Sequence, residues 1–297
     1  MKTTETVSAA PSTIDSGERI RAIQQRVWIG YSRALRIRDQ LDRLLEHPRV
    51  HRMPNLAIIG ETNNGKTTLL QNFVRKHLPP DDPNNDHTTM PILLIDTPPE
   101  PDEARLYRKI LERLFATVGR REPADSMLSR VQVILRHLET RMIILDEFNN
   151  AVAGTPIKQR RFLNAIRLMG NALQLPIVVA GTPEALAALQ SDPQLANRFE
   201  PVFLPKWTLD AEYARLLMSA EKVLGLNHTS GLIQPAFAQR LLDLSEGSLG
   251  ETMELIRRLA INAIHTGKER ITLDMLKPDA LAALGWTAPS RRTTYSV

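Results

Sequence analysis

The sequence predicts an α/β fold, a three-layer sandwich around a parallel five-stranded sheet, followed by a smaller all-helical module. Three observations lead there. Short apolar runs alternate with helical periodicity over most of the chain, a glycine-rich loop joins the first run to the helix after it, and beyond Pro205 the runs stop while the helical patterns continue. Strands buried on both faces of a parallel sheet read as continuous apolar runs, and parallel neighbours need a crossover, usually a helix.

The runs at 55–59, 91–95, 142–145, 176–180 and 202–204 have strand length and are bounded by turn or polar residues. Between them, helical spacing follows Gly65 and covers 103–118, where Leu106, Ile110, Leu114 and Val118 share a face, then 125–139, 158–175 and 183–190. Prolines and acidic or amide residues make 78–90 an exposed loop. Helices are expected again at 210–224, 235–246, 249–265 and 273–284. The expected organisation is a flexible arm (1–17), a basic helical segment (18–52), an α/β nucleotide-binding domain (53–206), a helical lid (207–285) and a flexible tail (286–297).

Composition narrows the function classes. The chain has 297 residues, enough for one large or two modest domains, and no cysteine, which excludes disulfides and thiolate metal sites. No apolar run is long enough for a membrane span, and the amino terminus lacks the apolar core of a secretory leader, so a cytoplasmic location is expected. Nine arginines face four carboxylates between Glu18 and Arg52, a local net charge of +5 that equals that of the whole chain. Such a segment contacts nucleic-acid phosphates or an acidic partner, or it is simply the solvated side of an amphipathic helix or two.

The chemistry concentrates in two stretches. Gly60, Glu61, Thr62, Asn63, Asn64, Gly65, Lys66 and Thr67, with Thr68 behind them, match G-x-x-x-x-G-K-[ST] between an expected strand and an expected helix, the setting in which such a loop cradles a nucleotide's phosphates. Lys66 would then reach the β- and γ-phosphates of ATP, and the Thr67 hydroxyl would bind Mg²⁺. Eighty residues on, an apolar strand ends in Asp146 and Glu147. At the carboxyl end of a parallel sheet, Asp146 would hold Mg²⁺ and Glu147 would act as general base on the attacking water. Thr182, after the fourth strand, either orients that water and senses the γ-phosphate or is an ordinary turn threonine. Arg198, before the fifth strand, is either a surface residue or an arginine finger aimed at a neighbour's nucleotide.

These motifs resemble those of AAA+ ATPases, and "IIGETNNGKTTLL", "IILDEFNN", "VVAGTPEA" and the "NRF" around Arg198 resemble the transposition regulators TniB and TnsC, relatives of MuB. The likeness runs over about residues 19–284. It implies strand order 5-1-4-3-2, ATP and Mg²⁺ at Lys66, Thr67, Asp146 and Glu147, a sensor at Thr182 and a trans-acting finger at Arg198. It also implies a bacterial, DNA-associated ATPase with slow, switch-like hydrolysis, forming a ring or helical filament on double-stranded DNA. A DDE-type transposase and a TniQ-type targeting protein would be its partners. One departure stands out: where the lid of AAA+ proteins carries an arginine, this chain has Gly250, after Gly247, Ser248 and Leu249.

DNA contacts have no sharp motif. Lys158, Arg160 and Arg161, then Arg120, Arg121 and Lys109, are the candidates for phosphate contacts, and each reads also as a solvated face. The alternative within the same fold is another AAA+ DNA machine, a replication initiator or clamp-loader subunit. An initiator would usually append a DNA-reading domain, for which the residues after Pro205 leave little room.

Overall fold

The computed structural model describes residues 16–25, 28–79 and 88–292. Residues 1–15 of the expected arm, most of the loop over 78–90 and the last five residues lie outside them. The chain divides into two compact units. One holds Gly30–Trp207 together with Ser248–Gly250; the other holds the segment ending at Ile29, Thr208–Gly247 and the residues from Glu251 on.

The first unit is the α/β sandwich. Its strands are β1 (Asn55–Gly60), β2 (Ile92–Asp96), β3 (Met142–Asp146), β4 (Ile177–Gly181) and β5 (Phe199–Leu204). All pairings are parallel in the order β2-β3-β4-β1-β5, which is the expected 5-1-4-3-2 read from the other edge. Side chains alternate between sheet faces. One face carries Ala57, Ile59, Leu93, Ile95, Ile143, Leu145, Ile177 and Val179 into a single apolar core. The helices that close it are α4 (Glu103–Arg113), α5 (Ala124–His137), α6 (Pro156–Leu173), α7 (Pro183–Gln190) and α8 (Pro193–Ala196). The alternate residues belong to the opposite face, where α3 (Lys66–Lys76) contacts β1, β2 and β4, and α2 (Ser32–Leu45) packs on α3 and β5. Burying both faces is what makes these strands apolar end to end.

The second unit is all helical: α1 (Ser16–Gln24), α9 (Ala211–Leu224), α10 (Pro235–Ser245), α11 (Leu249–His265) from Glu251 on, α12 (Pro278–Ala283) and α13 (Pro289–Arg292). Tyr213, Leu217, Leu241, Leu255 and Leu259 form its buried interior. Arg19 reaches from α1 to Glu269 with hydrogen bonds of 3.0 and 2.7 Å.

Several expectations shift. Ser16 and Gly17, expected in the flexible arm, open α1, and the stretch expected as a flexible tail from 286 begins with buried Trp286 and includes α13. The basic segment is two helices grouped with different units, α1 with the helical residues and α2 with the sheet. The helix expected over 103–118 stops at Arg113, because Phe115 turns left-handed (φ 56°) and arginine side chains take over the next carbonyls: Arg130 Nη2 donates to Thr117 O at 2.7 Å and Arg108 Nη2 to Gly119 O at 3.4 Å. The stretch 273–284 breaks into a 3-10 turn, Leu273–Leu276, and α12, since Pro278 holds Lys277 extended (ψ 150°).

Candidate active site

Parallel strands bring their carboxyl ends to one rim, and the register sets the order along it. Asp96 lies beside Asp146, Val179 beside Leu145, and Gly181 beside Ile59. Walking across the rim, one meets Asp96 and Thr97, Asp146 and Glu147, Gly181 and Thr182, then Gly60 and the loop to α3. The glycine-rich loop, the two carboxylates and Thr182 therefore meet, although they are far apart in sequence.

The loop is shaped by close approaches. A Cβ on Gly60 would lie 2.7 Å from the Leu204 carbonyl oxygen, so β1 and β5 can close up only around glycine. Asn63 (φ 59°) and Gly65 (φ 86°) take left-handed backbone, which those two residue types accept most readily. Lys66 folds back over the loop, its Nζ donating to Gly60 O at 2.7 Å and Glu61 O at 2.9 Å. Burial pushes its pKa down, opposed by the carboxylates of Asp146, Glu147 and Glu61. Its ammonium thus lies in the field of Asp146, at the end of β3, and of Glu147 after it. Thr67 and Thr68 lie half-buried in the first turn of α3, whose amino terminus adds positive potential, while Glu61 and Thr62 are exposed. Such an arrangement can cradle a polyphosphate.

Across from it, Asp146 is buried (2% exposed) and accepts the N–H of Glu147 at 2.8 Å. Glu147 takes a left-handed backbone (φ 51°) and is exposed, while the next residue, Phe148, is fully buried. That backbone costs a non-glycine residue roughly 1 kcal/mol, and such strain concentrates where a side chain must be aimed. Thr97 N–H donates to Asp146 O at 2.7 Å, and the Thr97 hydroxyl is buried without a partner. No sequence motif marks Thr97; only the β2–β3 register places it at the site.

Among the described residues no three His, Cys, Asp or Glu side chains could hold a metal ion by themselves. The oxygens of Asp146, Thr67 and Thr97 fit a hard cation that keeps most of its waters and shares the phosphates, as Mg²⁺ does.

Thr182 follows β4, between the strands of the two motifs, at the amino terminus of α7, and its hydroxyl bond holds the Glu184 carboxyl below the usual range. A Cβ on Gly181 would lie 2.8 Å from that of Ala185, which keeps this turn tight. Arg198 lies at the opposite rim, among the strands' amino ends, where its carbonyl accepts the Asn55 N–H at 3.0 Å. A cavity of about 370 Å³, lined in part by Arg49, Arg136 and Arg141, also opens there, away from the phosphate loop.

Two further contacts give Asn64 and Gly250 definite roles. Asn64 is buried and ties the loop to β5, its Nδ2 donating to Leu204 O at 2.6 Å and Pro205 O at 2.9 Å. The Asn63 carbonyl accepts from Gly250 N–H at 2.9 Å and from the Ser248 hydroxyl at 3.1 Å. A Cβ on residue 250 would sit 2.0 Å from Asn63 Oδ1. No side chain, arginine included, fits at this position while Asn63 keeps its place. Gly250→Ala should therefore push the exposed Asn63 side chain aside and lower stability by up to about 1 kcal/mol, the low end of the cost of overpacking. Asn63→Gly, which keeps the left-handed backbone and frees the space, should recover over half of that loss in the double variant. Denaturant unfolding checks it, and strictly additive losses would contradict the contact.

The basic residues separate by environment. Lys158, Arg160 and Arg161 are exposed in the first turns of α6, beside Ile157, which is 68% exposed. Arg120 and Arg121 are exposed in the loop before α5, whereas Lys109 pairs with Asp96 at 3.7 Å.

The five-stranded order, the glycine-rich loop and the acidic strand end together define a P-loop ATPase of the AAA+ class. The chain belongs to the bacterial TniB protein family, whose model matches residues 19–209. No curated protein matches it. Among solved structures it is similar to the Aeropyrum pernix ORC2 protein in its ADPNP–ADP complexes, at 17% identity and TM-score 0.63 over 88% of this chain and 71% of that one. It is also similar to the A. pernix ORC1 protein in complex with DNA (15%, TM-score 0.62, 89% and 69%) and to Drosophila ORC bound to DNA (14%, TM-score 0.58, 100% and 73%). At these identities the likeness is one of fold.

Proposed function

We propose that this ATPase is an ATP-gated regulator of DNA transposition. With ATP and Mg²⁺ bound it assembles on duplex DNA in the cytoplasm, as a ring or filament, and recruits and activates a DDE-type transposase, with a TniQ-type protein as a further partner. Lys66 and the loop from Gly60 to Thr68 bind the triphosphate, Thr67 and Asp146 hold the Mg²⁺, Glu147 is the general base, and Thr182 orients the water. Membership of the TniB family supports the transposition reading, and the DNA-bound ORC structures of the same fold support the DNA.

One observation carries the assembly: Glu147 and Arg198 stand at opposite rims of one sheet. Six residues of β1 at about 3.3 Å each separate the rims by on the order of 20 Å. Arg198 cannot touch the nucleotide of its own subunit, but it reaches the one held by a neighbour stacked rim to rim.

Aromatic residues are only 5% of the chain, so phosphate neutralisation rather than base stacking should hold the DNA. Fluorescence titrations with unrelated duplexes and an ATP analogue should give similar affinities and a log–log salt slope near −0.9 per phosphate contact. Neutralising Lys158, Arg160 and Arg161 together should weaken all duplexes alike and flatten that slope. If the same change at Arg33, Arg36 and Arg38 of α2 flattens it instead, the contact surface lies there. Tight binding to one short sequence with a slope near zero would favour the replication-initiator reading, to which the ORC-like fold also lends itself.

A further inference from the structure

The rim opposite the nucleotide gathers three arginines. Arg198 Nη1 donates to Asn171 Oδ1 of α6 at 2.7 Å. Arg167 stands one turn before Asn171, so both project from the same side of that helix. Its guanidinium is steered in turn, Nη1 donating to Gln194 Oε1 at 2.6 Å and Nε to Asn164 Oδ1 at 3.1 Å. Arg52 lies in the bend leading into β1, three residues before Asn55, whose N–H binds the Arg198 carbonyl. Burial and the charges of Arg52 and Arg167 together lower the Arg198 pKa.

Every side-chain partner here is a neutral amide. Among the described residues no carboxylate forms an ion pair with Arg52, Arg167 or Arg198. Elsewhere in the molecule Arg19, Arg130, Arg258 and Arg292 each have a carboxylate at 2.7–2.8 Å. Like charges crowded together without a counter-ion destabilise the lone subunit, and an anion from outside relieves them. Amides that aim two guanidinium forks at one region preorganise them for a compact polyphosphate. Duplex phosphates would call for cations spread along a stripe.

We propose that Arg167 is a second trans-acting arginine, binding together with Arg198 the triphosphate of a nucleotide held by a second copy of this chain, with Arg52 adding to the attracting field. This rests on the trans reading of Arg198 and extends it to a residue on a different element. Asn171 is a positioning residue, fixing the Arg198 fork beside that of Arg167.

The test uses the full chain with duplex DNA. Arg167→Ala and Arg167→Gln, the second keeping hydrogen-bonding capacity should the first fold poorly, should bind ATP normally as dilute subunits. Both should lose at least thirtyfold in the kcat of the assembled protein. Arg167→Lys should recover only part, because an ammonium lacks the fork, and Gln194→Ala, which frees the fork but keeps its charge, should lose less than Arg167→Ala. Mixing Arg167→Ala with Glu147→Gln subunits should restore measurable turnover, since some interfaces then join an intact Glu147 to a neighbour's intact Arg167. If Arg167→Ala turns over within threefold of the native rate while Arg198→Ala does not, the proposal fails and the trans reading of Arg198 stands. Native turnover in Arg198→Ala removes both. No recovery in confirmed mixed assemblies, or weakened duplex affinity at unchanged turnover, also overturns it, the latter in favour of a DNA contact.

Discussion

Glu147→Gln should bind ATP as tightly as the native chain while its turnover falls by at least a hundredfold. The substitution keeps the size of the side chain and its place at the turn after β3, where Phe148 is buried and the Glu147 N–H is fixed on Asp146. What it removes is the ability to accept a proton from water, and a positioned general base contributes typically 10²–10⁴-fold. Lys66 keeps its carbonyl partners at Gly60 and Glu61, so the phosphate cradle is unaffected. If hydrolysis drives disassembly, complexes of this variant with duplex DNA should also dissociate more slowly. Steady-state phosphate release and a filter-based dissociation assay read both effects. Native turnover would mean that another residue activates the water.

Arg198→Ala should show the opposite dependence on concentration. Diluted below the point of assembly, the variant should match the native protein in ATP affinity and in its slow basal rate. Under assembling conditions the native rate should rise and that of the variant should not, by a factor of about 10³ where an arginine finger completes the site. The physical reason is the rim-to-rim separation: Arg198 immediately precedes β5 beside Asn55, and the phosphate loop begins at the other end of β1. A variant defective at every dilution would instead assign Arg198 a part in holding its own subunit together, through Asn171.

The sheet was legible because both of its faces are buried. A strand with no solvated face writes itself as an unbroken apolar run, and all five runs became strands shifted at most a few residues at either end. The phosphate loop was legible because a local backbone shape needs local residues, glycines around a lysine. Strand order was carried by the family resemblance, since nothing in an isolated run names its neighbour. Other features escaped for the same reason. The early end of α4 depends on Arg108 and Arg130 capturing loop carbonyls, which no periodicity records. Thr97 joins the site through strand register alone. Gly250 stood out only as a missing arginine, and its cause lies across the chain at Asn63, whose side chain fills the space a Cβ would need. The company kept by Arg198 was invisible too: Arg52 comes from the bend before β1 and Arg167 from α6, and only the folded sheet brings them to one rim.

Negative-stain imaging of the purified chain with duplex DNA, with and without a non-hydrolysable ATP analogue, tests most directly whether ATP gates assembly on DNA. Ordered rings or filaments should form on the duplex only with the analogue. They should be absent for Lys66→Ala, whose loss of a cation facing the triphosphate should weaken ATP binding at least tenfold, about 1.4 kcal/mol. Ordered assemblies that form equally well without nucleotide, or single subunits on DNA with the analogue saturating, would contradict it.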